Sequence, residues 1–157
     1  MTTTLHLEQS RAFPASVEQA FDTVLPAPLP EIFHRRYAAL PAIREVRDQE
    51  GSWGTVGQTR TIVLADGGTM RETLTSVERA DHFGYTISDV TGPMKLLVRS
   101  LEGRWAFAPA GTGVRITWSW DLEPTSDLAD LAMPLFARLW KGYARQALEE
   151  IEPLLLR

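Results

Sequence analysis

There is no cysteine anywhere in the 157 residues. That removes disulfides, thiolate catalysis and Cys-ligated zinc or iron–sulfur centres. No stretch approaches the roughly 18 consecutive apolar residues of a membrane span. The opening Met1-Thr2-Thr3-Thr4-Leu5 has neither the basic start nor the apolar run of a secretory signal, so a cytoplasmic protein is the expectation. Basic charge is in deficit: 16 Lys and Arg against 20 Asp and Glu leave a formal charge of −4. Nucleic acid is therefore not an expected partner, because phosphate binding needs a basic face. The three histidines, His6, His34 and His82, are scattered without paired ligand spacing, which argues surface positions and no metal site. No Gly-x-Ser-x-Gly nucleophile elbow occurs. Asp66-Gly67-Gly68 is not followed by a helix, so it reads as a turn and not as a phosphate cradle. No cofactor is expected.

What is present is the composition of a globular domain, 44% hydrophobic and 23% charged, with no internal repeat, low-complexity tract or linker. One domain over residues 1–157 accounts for the chain. Leu5 to Phe13 suits a first strand, stopped by Pro14. Ser16 with Gln19 makes a capping-box pattern ahead of a short helix whose Val17, Ala20, Phe21 and Val24 share a face. A second short helix is expected from Pro30 towards Tyr37. Six strands follow: 43–48, 58–64, 69–77, 83–89, 96–108 and 114–122, with short Gly, Asp and Pro turns between them. From Ser126 to Leu155 the pattern is helical, with a stripe through Leu128, Leu131, Leu135, Phe136, Leu139, Tyr143, Leu148, Ile151 and Leu155. Pro134 marks a kink or the true start of that helix.

The apolar face of such an antiparallel sheet must be covered, and the C-terminal helix is the one long amphipathic element available. The expected fold class is α+β with a helix-grip architecture. A curved seven-stranded antiparallel sheet wraps the long C-terminal helix, and two short helices after the first strand close one end.

Strand alternation nominates the interior. Val114, Ile116, Trp118, Trp120 and Leu122 share one face of the last strand; Leu101, Trp105 and Phe107 face in from the strand before, and Phe83, Tyr85 and Ile87 from the one before that. In 58–64 the apolar Ile62 and Leu64 share parity with Arg60, and in the next strand Met70 and Leu74 share parity with Glu72. A three-residue loop, Ala65-Asp66-Gly67, sets residue 60 opposite residue 72. An arginine and a glutamate are thus expected inside, about 5 Å apart at Cβ and able to form a salt bridge. Either alone would carry a desolvation penalty of several kcal/mol, and an apolar pair of similar size is often no less stable. Ligand orientation or catalysis explains them better than stability does, although a slipped register or a simple strand tie would also place them here. Tyr143 follows the helix stripe and can direct a hydroxyl inward; Trp140 lies off it and is expected to be partly exposed. The sheet edges and Trp53 are candidate contacts for a homodimer.

Several of these segments, in order, resemble the START-like SRPBCC superfamily and its polyketide cyclase/dehydrase and lipid-transport branch. They are Phe13-Pro14-Ala15-Ser16, Val56-Gly57-x-x-Arg60, Asp66-Gly67-Gly68, Arg71-Glu72-x-Leu74, Tyr85-Thr86-Ile87 and Gly113-Val114-x-Ile116-Thr117-Trp118. Within it, Arg60 and Glu72 are similar to the pocket pair of plant lachrymatory-factor synthase and the abscisic-acid receptors, with Tyr85 at an aromatic position. Leu101 stands where that branch commonly carries a pocket tyrosine, which argues against a synthase-like proton relay.

The resemblance implies an apolar cavity for a small hydrophobic molecule, with Arg60, Glu72, Tyr85, Leu101, Trp105, Phe107, Trp118, Trp120, Leu139 and Tyr143 as its candidate lining. Three functions stand open. One is a carrier of a lipid, polyketide or aromatic metabolite. Another is a cyclase- or dehydratase-like enzyme with Glu72 as general acid/base and Arg60 stabilising an oxyanion. The third is a regulatory module whose surface contacts another protein.

Overall fold

The computed structural model describes residues 3–157. Its order is β1 (Leu5–Phe13), α1 (Val17–Val24), α2 (Leu29–Ile32), β2 (Ile43–Arg47), β3 (Thr59–Leu64), β4 (Thr69–Glu78), β5 (His82–Ser88), a 3₁₀ turn at Pro93–Leu96, β6 (Val98–Ala110), β7 (Gly113–Pro124) and α3 (Asp127–Leu155). The strands form one sheet in the order β1-β7-β6-β5-β4-β3-β2, antiparallel throughout. Every hairpin neighbour in sequence is a neighbour in space. The exception is β1, which pairs along β7 from Leu5↔Leu122 to Phe13↔Val114. Register shifts at Ile43/Glu45, Leu74/Ser76 and Val98/Ser100 bend the strands, as bulges do, and help the sheet curve around α3.

Both long connections to helices are capped as the sequence suggests. Ser16 Oγ accepts from Gln19 N at 3.0 Å and Ser126 Oγ from Ala129 N at 3.1 Å. The Gln19 side chain does not complete a capping box; its Nε2 donates to the Leu155 carbonyl at 3.0 Å, tying α1 to the end of α3. α2 is shorter than expected. It ends at Ile32, and the segment beyond it turns back on itself through a bridge between Tyr37 and Leu40, with Ala38 at a positive φ of 50°.

The long helix corrects two expectations. It starts at Asp127 and runs through Pro134, so Pro134 is not its beginning. Its buried face passes through Ala129, Met133, Phe136, Trp140, Tyr143, Ala147 and Ile151. The stripe drawn through Leu128, Leu131, Leu135 and Leu139 lies one residue, roughly 100°, off that face. Leu128, Leu131 and Leu135 are therefore exposed at 78%, 80% and 63%, and Leu139 is half-buried, while Trp140 is fully buried. Trp53 is buried too, at 2% exposure, so it is not an exposed contact for a second copy.

Candidate functional site

Between the concave sheet face and α3 lies a chamber of ≈ 850 Å³ free of protein atoms, counting its opening to solvent. Within it, ≈ 80 Å³ admits the centre of a water-sized sphere, several times the space one water requires. The walls are apolar and aromatic, from Ile32 and Phe33 of the short-helix region, Ile62, Met70 and Ile87 of the sheet, and Phe136 and Trp140 of α3. Arg60, Glu72, Tyr85 and Tyr143 are the ionisable side chains among the lining residues.

The Asp66 turn explains why two charges meet inside. Leu64 N donates to Gly68 O at 2.8 Å around the three-residue loop, with Gly67 at a φ of 91°, and Arg60 pairs directly with Glu72. Both residues are 4% exposed. Arg60 Nε donates to Glu72 Oε1 at 2.8 Å and its Nη1 to Gln49 Oε1 at 3.2 Å. The guanidinium carbon sits 3.9 Å from the centroid of the Trp53 ring, a cation–π stack between two buried side chains. Burial pushes the Glu72 carboxyl above its usual range, and the Arg60 charge and hydrogen bond only partly offset that.

Beside this pair, on the next strands of the same sheet face, is a neutral cluster. Trp118 Nε1 donates to Tyr85 Oη at 2.8 Å and Trp120 Nε1 to the same oxygen at 3.1 Å. Tyr85 stands on β5 and the two tryptophans on β7, with β6 between them, so the ring must cross the middle strand. It can do so because Gly103 is the β6 residue paired with both Tyr85 and Trp120. A Cβ at Gly103 would overlap the Cζ, Cε2 and Oη of Tyr85. Burial holds the Tyr85 phenol above its ordinary pKa, with the nearby Glu72 charge adding to the shift, so it stays protonated. Trp105 stacks on Trp118 at 5.2 Å and 15°, and Trp118 and Trp120 both contact the Trp140 ring, at 5.0 and 5.5 Å. Tyr143 stacks on Phe33 and donates its hydroxyl to the Pro41 carbonyl at 2.8 Å.

Arg60, Glu72, Tyr85, Trp105, Trp118, Trp120 and Tyr143 all border the chamber. Three nominated residues do not. Phe107 is buried against Phe21 and Phe83 beneath α1, and Leu101 lies at the other end of β6 between Ile87 and Leu122. Leu139 points off the buried face of α3. Sequence reasoning missed Trp140, Trp53, Gln49 and Gly103. Gly103 carries a readable signal, since it shares inward parity with Leu101 and Trp105. The histidines lie apart from the site: His34 pairs with Glu150 at 2.9 Å, His6 with Asp121 and Glu8, and His82 with Asp81. Among the described residues no three His, Asp or Glu side chains are grouped as metal ligands would be. No helix there is long and apolar enough to cross a membrane.

Residues 4–155 match the family model described as polyketide cyclase / dehydrase and lipid transport. The chain belongs to that family. The solved structures agree on its helix-grip, birch-pollen-allergen-like fold. Norcoclaurine synthase from Thalictrum flavum, in complex with dopamine and hydroxybenzaldehyde, superposes with a TM-score of 0.72 at 16% identity, covering 99% of this chain and 88% of that one. The protein XoxI from Bacillus cereus gives 0.68 at 19% identity, covering 99% and 96%. Ara h 8.0201 gives 0.68 at 18%, covering 98% and 99%. At such identities the likeness establishes the fold of this polyketide cyclase/dehydrase family member and nothing finer. No curated protein matches the sequence.

Proposed function

We propose that this protein binds a small, largely apolar molecule in the chamber between its sheet and α3. The observation that carries this reading is the wall itself: an apolar, aromatic lining with a few convergent polar groups is the ordinary make-up of a small-molecule site. Family membership supports it, as does the fold shared with a synthase whose structure holds two aromatic compounds. The neutral dye N-phenyl-1-naphthylamine should brighten and shift to the blue on binding. Ile43→Trp, which fills one edge of the chamber, should weaken that binding by about tenfold or more, roughly 1.4 kcal/mol. Equal dye binding by both proteins would place the dye elsewhere and remove the support.

Catalysis is the second reading, and Glu72 favours it. A carboxyl raised by burial, beside a fixed guanidinium and at the edge of an apolar chamber, has the character of a general acid/base. In a cyclase- or dehydratase-type reaction Glu72 would move the proton while Arg60 stabilised the developing oxyanion. Glu72→Gln separates the two readings. A carrier keeps its ligand affinity and has no turnover to lose, whereas an enzyme keeps binding and loses turnover by roughly 10²-fold or more.

A further inference from the structure

A phenol oxygen has two lone pairs and one proton. At Tyr85 both lone pairs are engaged, by the indole N–H groups of Trp118 and Trp120. The remaining function of that hydroxyl is donation, and no acceptor for its proton exists among the described residues. Tyr85 is 7% exposed and lines the chamber. Buried donors are nearly always paired, so the partner of this one comes from the chamber's contents. The indoles also fix its direction. Two donors on one oxygen leave the phenol proton a single remaining sector, and Gly103 lets the ring lie across β6 where both indoles reach it. In the same wall the Trp140 indole nitrogen is buried without a partner, so the aromatic flank offers hydrogen and lacks acceptors.

The charge balance narrows what the acceptor can be. The Arg60 charge is offset by Glu72, with its Nε and Nη1 bonded to Glu72 and Gln49 and its face on Trp53, so no uncompensated cation stands among the lining residues. Glu72 is close enough to raise the Tyr85 phenol further, and its charge would repel an anion placed there. We propose that Tyr85 is the specificity-determining donor of the site and that it selects neutral aromatic or polycyclic molecules carrying a carbonyl oxygen. The proposal rests on the chamber being a ligand site. Tyr85 then reads the ligand's oxygen, while the indole cluster holds the ring system by stacking.

Three probes that share one ring system test it: 9-fluorenone, with a neutral carbonyl; fluorene, without one; and fluorene-9-carboxylate, with a charge. Titration by tryptophan fluorescence should show wild type binding fluorenone roughly 10- to 100-fold tighter than fluorene, the range expected when a buried donor gains or lacks its partner. Fluorene-9-carboxylate should bind no better than fluorene. Tyr85→Phe should retain fluorene affinity and lose the preference. In wild type alone, difference infrared spectra should show the fluorenone carbonyl stretch lowered on binding, a readout that does not depend on the variant folding. Fluorenone and fluorene binding equally to wild type, an unshifted carbonyl, or a preference that survives in Tyr85→Phe would overturn this inference and leave the chamber's ligand role standing. Tighter binding of the carboxylate would overturn the neutral class. Wild type binding none of the three would overturn the ligand-site reading and this inference with it.

Discussion

The two flanks of the chamber bury polar groups in opposite ways. On β3 and β4 the solution is ionic: Arg60 and Glu72 neutralise each other, and Gln49 and Trp53 take up more of the guanidinium. On β5 to β7 it is neutral: two indoles converge on one phenol, across a strand that has no side chain in the way. The ionic flank balances its own charge, and its cost is desolvation. The neutral flank is cheap to bury and leaves a donor open. The contrast shows two ways of burying polar groups side by side on one concave sheet, an ion pair on β3 and β4 and a neutral hydrogen-bonded cluster on β5 to β7.

The comparison can be broken most severely at Arg60. Arg60→Met leaves a buried carboxylate without its partner and should cost about 3–5 kcal/mol in chemical denaturation near neutral pH. The sign of its pH dependence is set by Glu72. Its folded pKa lies above the ordinary 4.5 because of burial, and removing Arg60 removes the opposing pull. Between 4.5 and the folded pKa the native state holds more protons than the unfolded chain, so stability falls as pH rises through that window. The deficit of Arg60→Met should therefore shrink as the pH is lowered towards 4.5, and a deficit that grows on acidification would contradict the assignment.

Gly103→Ala attacks the other flank. The new methyl group takes the space of the Tyr85 ring, so overpacking of about 1–3 kcal/mol and loss of both indole bonds are expected. A lowered melting temperature with a changed tryptophan emission would show it; an unchanged spectrum would mean the ring is not held there. Replacing the whole ionic pair, Arg60→Met with Glu72→Leu, should cost far less than Arg60→Met alone, at most about 1 kcal/mol, and could stabilise. A double variant as unstable as the single one would show that the pair does structural work beyond mutual neutralisation. Smallest of all, Leu131→Glu on the exposed face of α3 should change stability by no more than about 0.5 kcal/mol. A larger loss would mean that this face is covered in solution.

Strand parity and turn chemistry made the sheet legible. Alternation put Arg60 and Glu72 on the inward face, and the left-handed position at Gly67 fixed their register. The helix was read less well, because α3 carries leucines on two adjacent faces and periodicity alone does not say which one meets the sheet. Leu128, Leu131 and Leu135 were the more conspicuous apolar set, but the closed packing runs through Ala129, Met133, Phe136 and Trp140, whose small and aromatic members fit the curved sheet. Contacts made across intervening elements were illegible for a different reason. Trp53 reaches Arg60 from the loop between β2 and β3, and Tyr85 reaches Trp118 two strands away. Neither spacing has a local pattern, and both depend on where the fold places an absent side chain or a loop.

The central claim is that a small apolar molecule enters the chamber and lies against its indoles. Indole ¹H–¹⁵N spectra of the protein titrated with N-phenyl-1-naphthylamine test it residue by residue. Trp105, Trp118, Trp120 and Trp140, which line the chamber, should shift strongly, and Trp53, shielded behind Arg60, should shift least. Shifts confined to Trp53, or four unmoved chamber indoles with dye bound, would contradict the account.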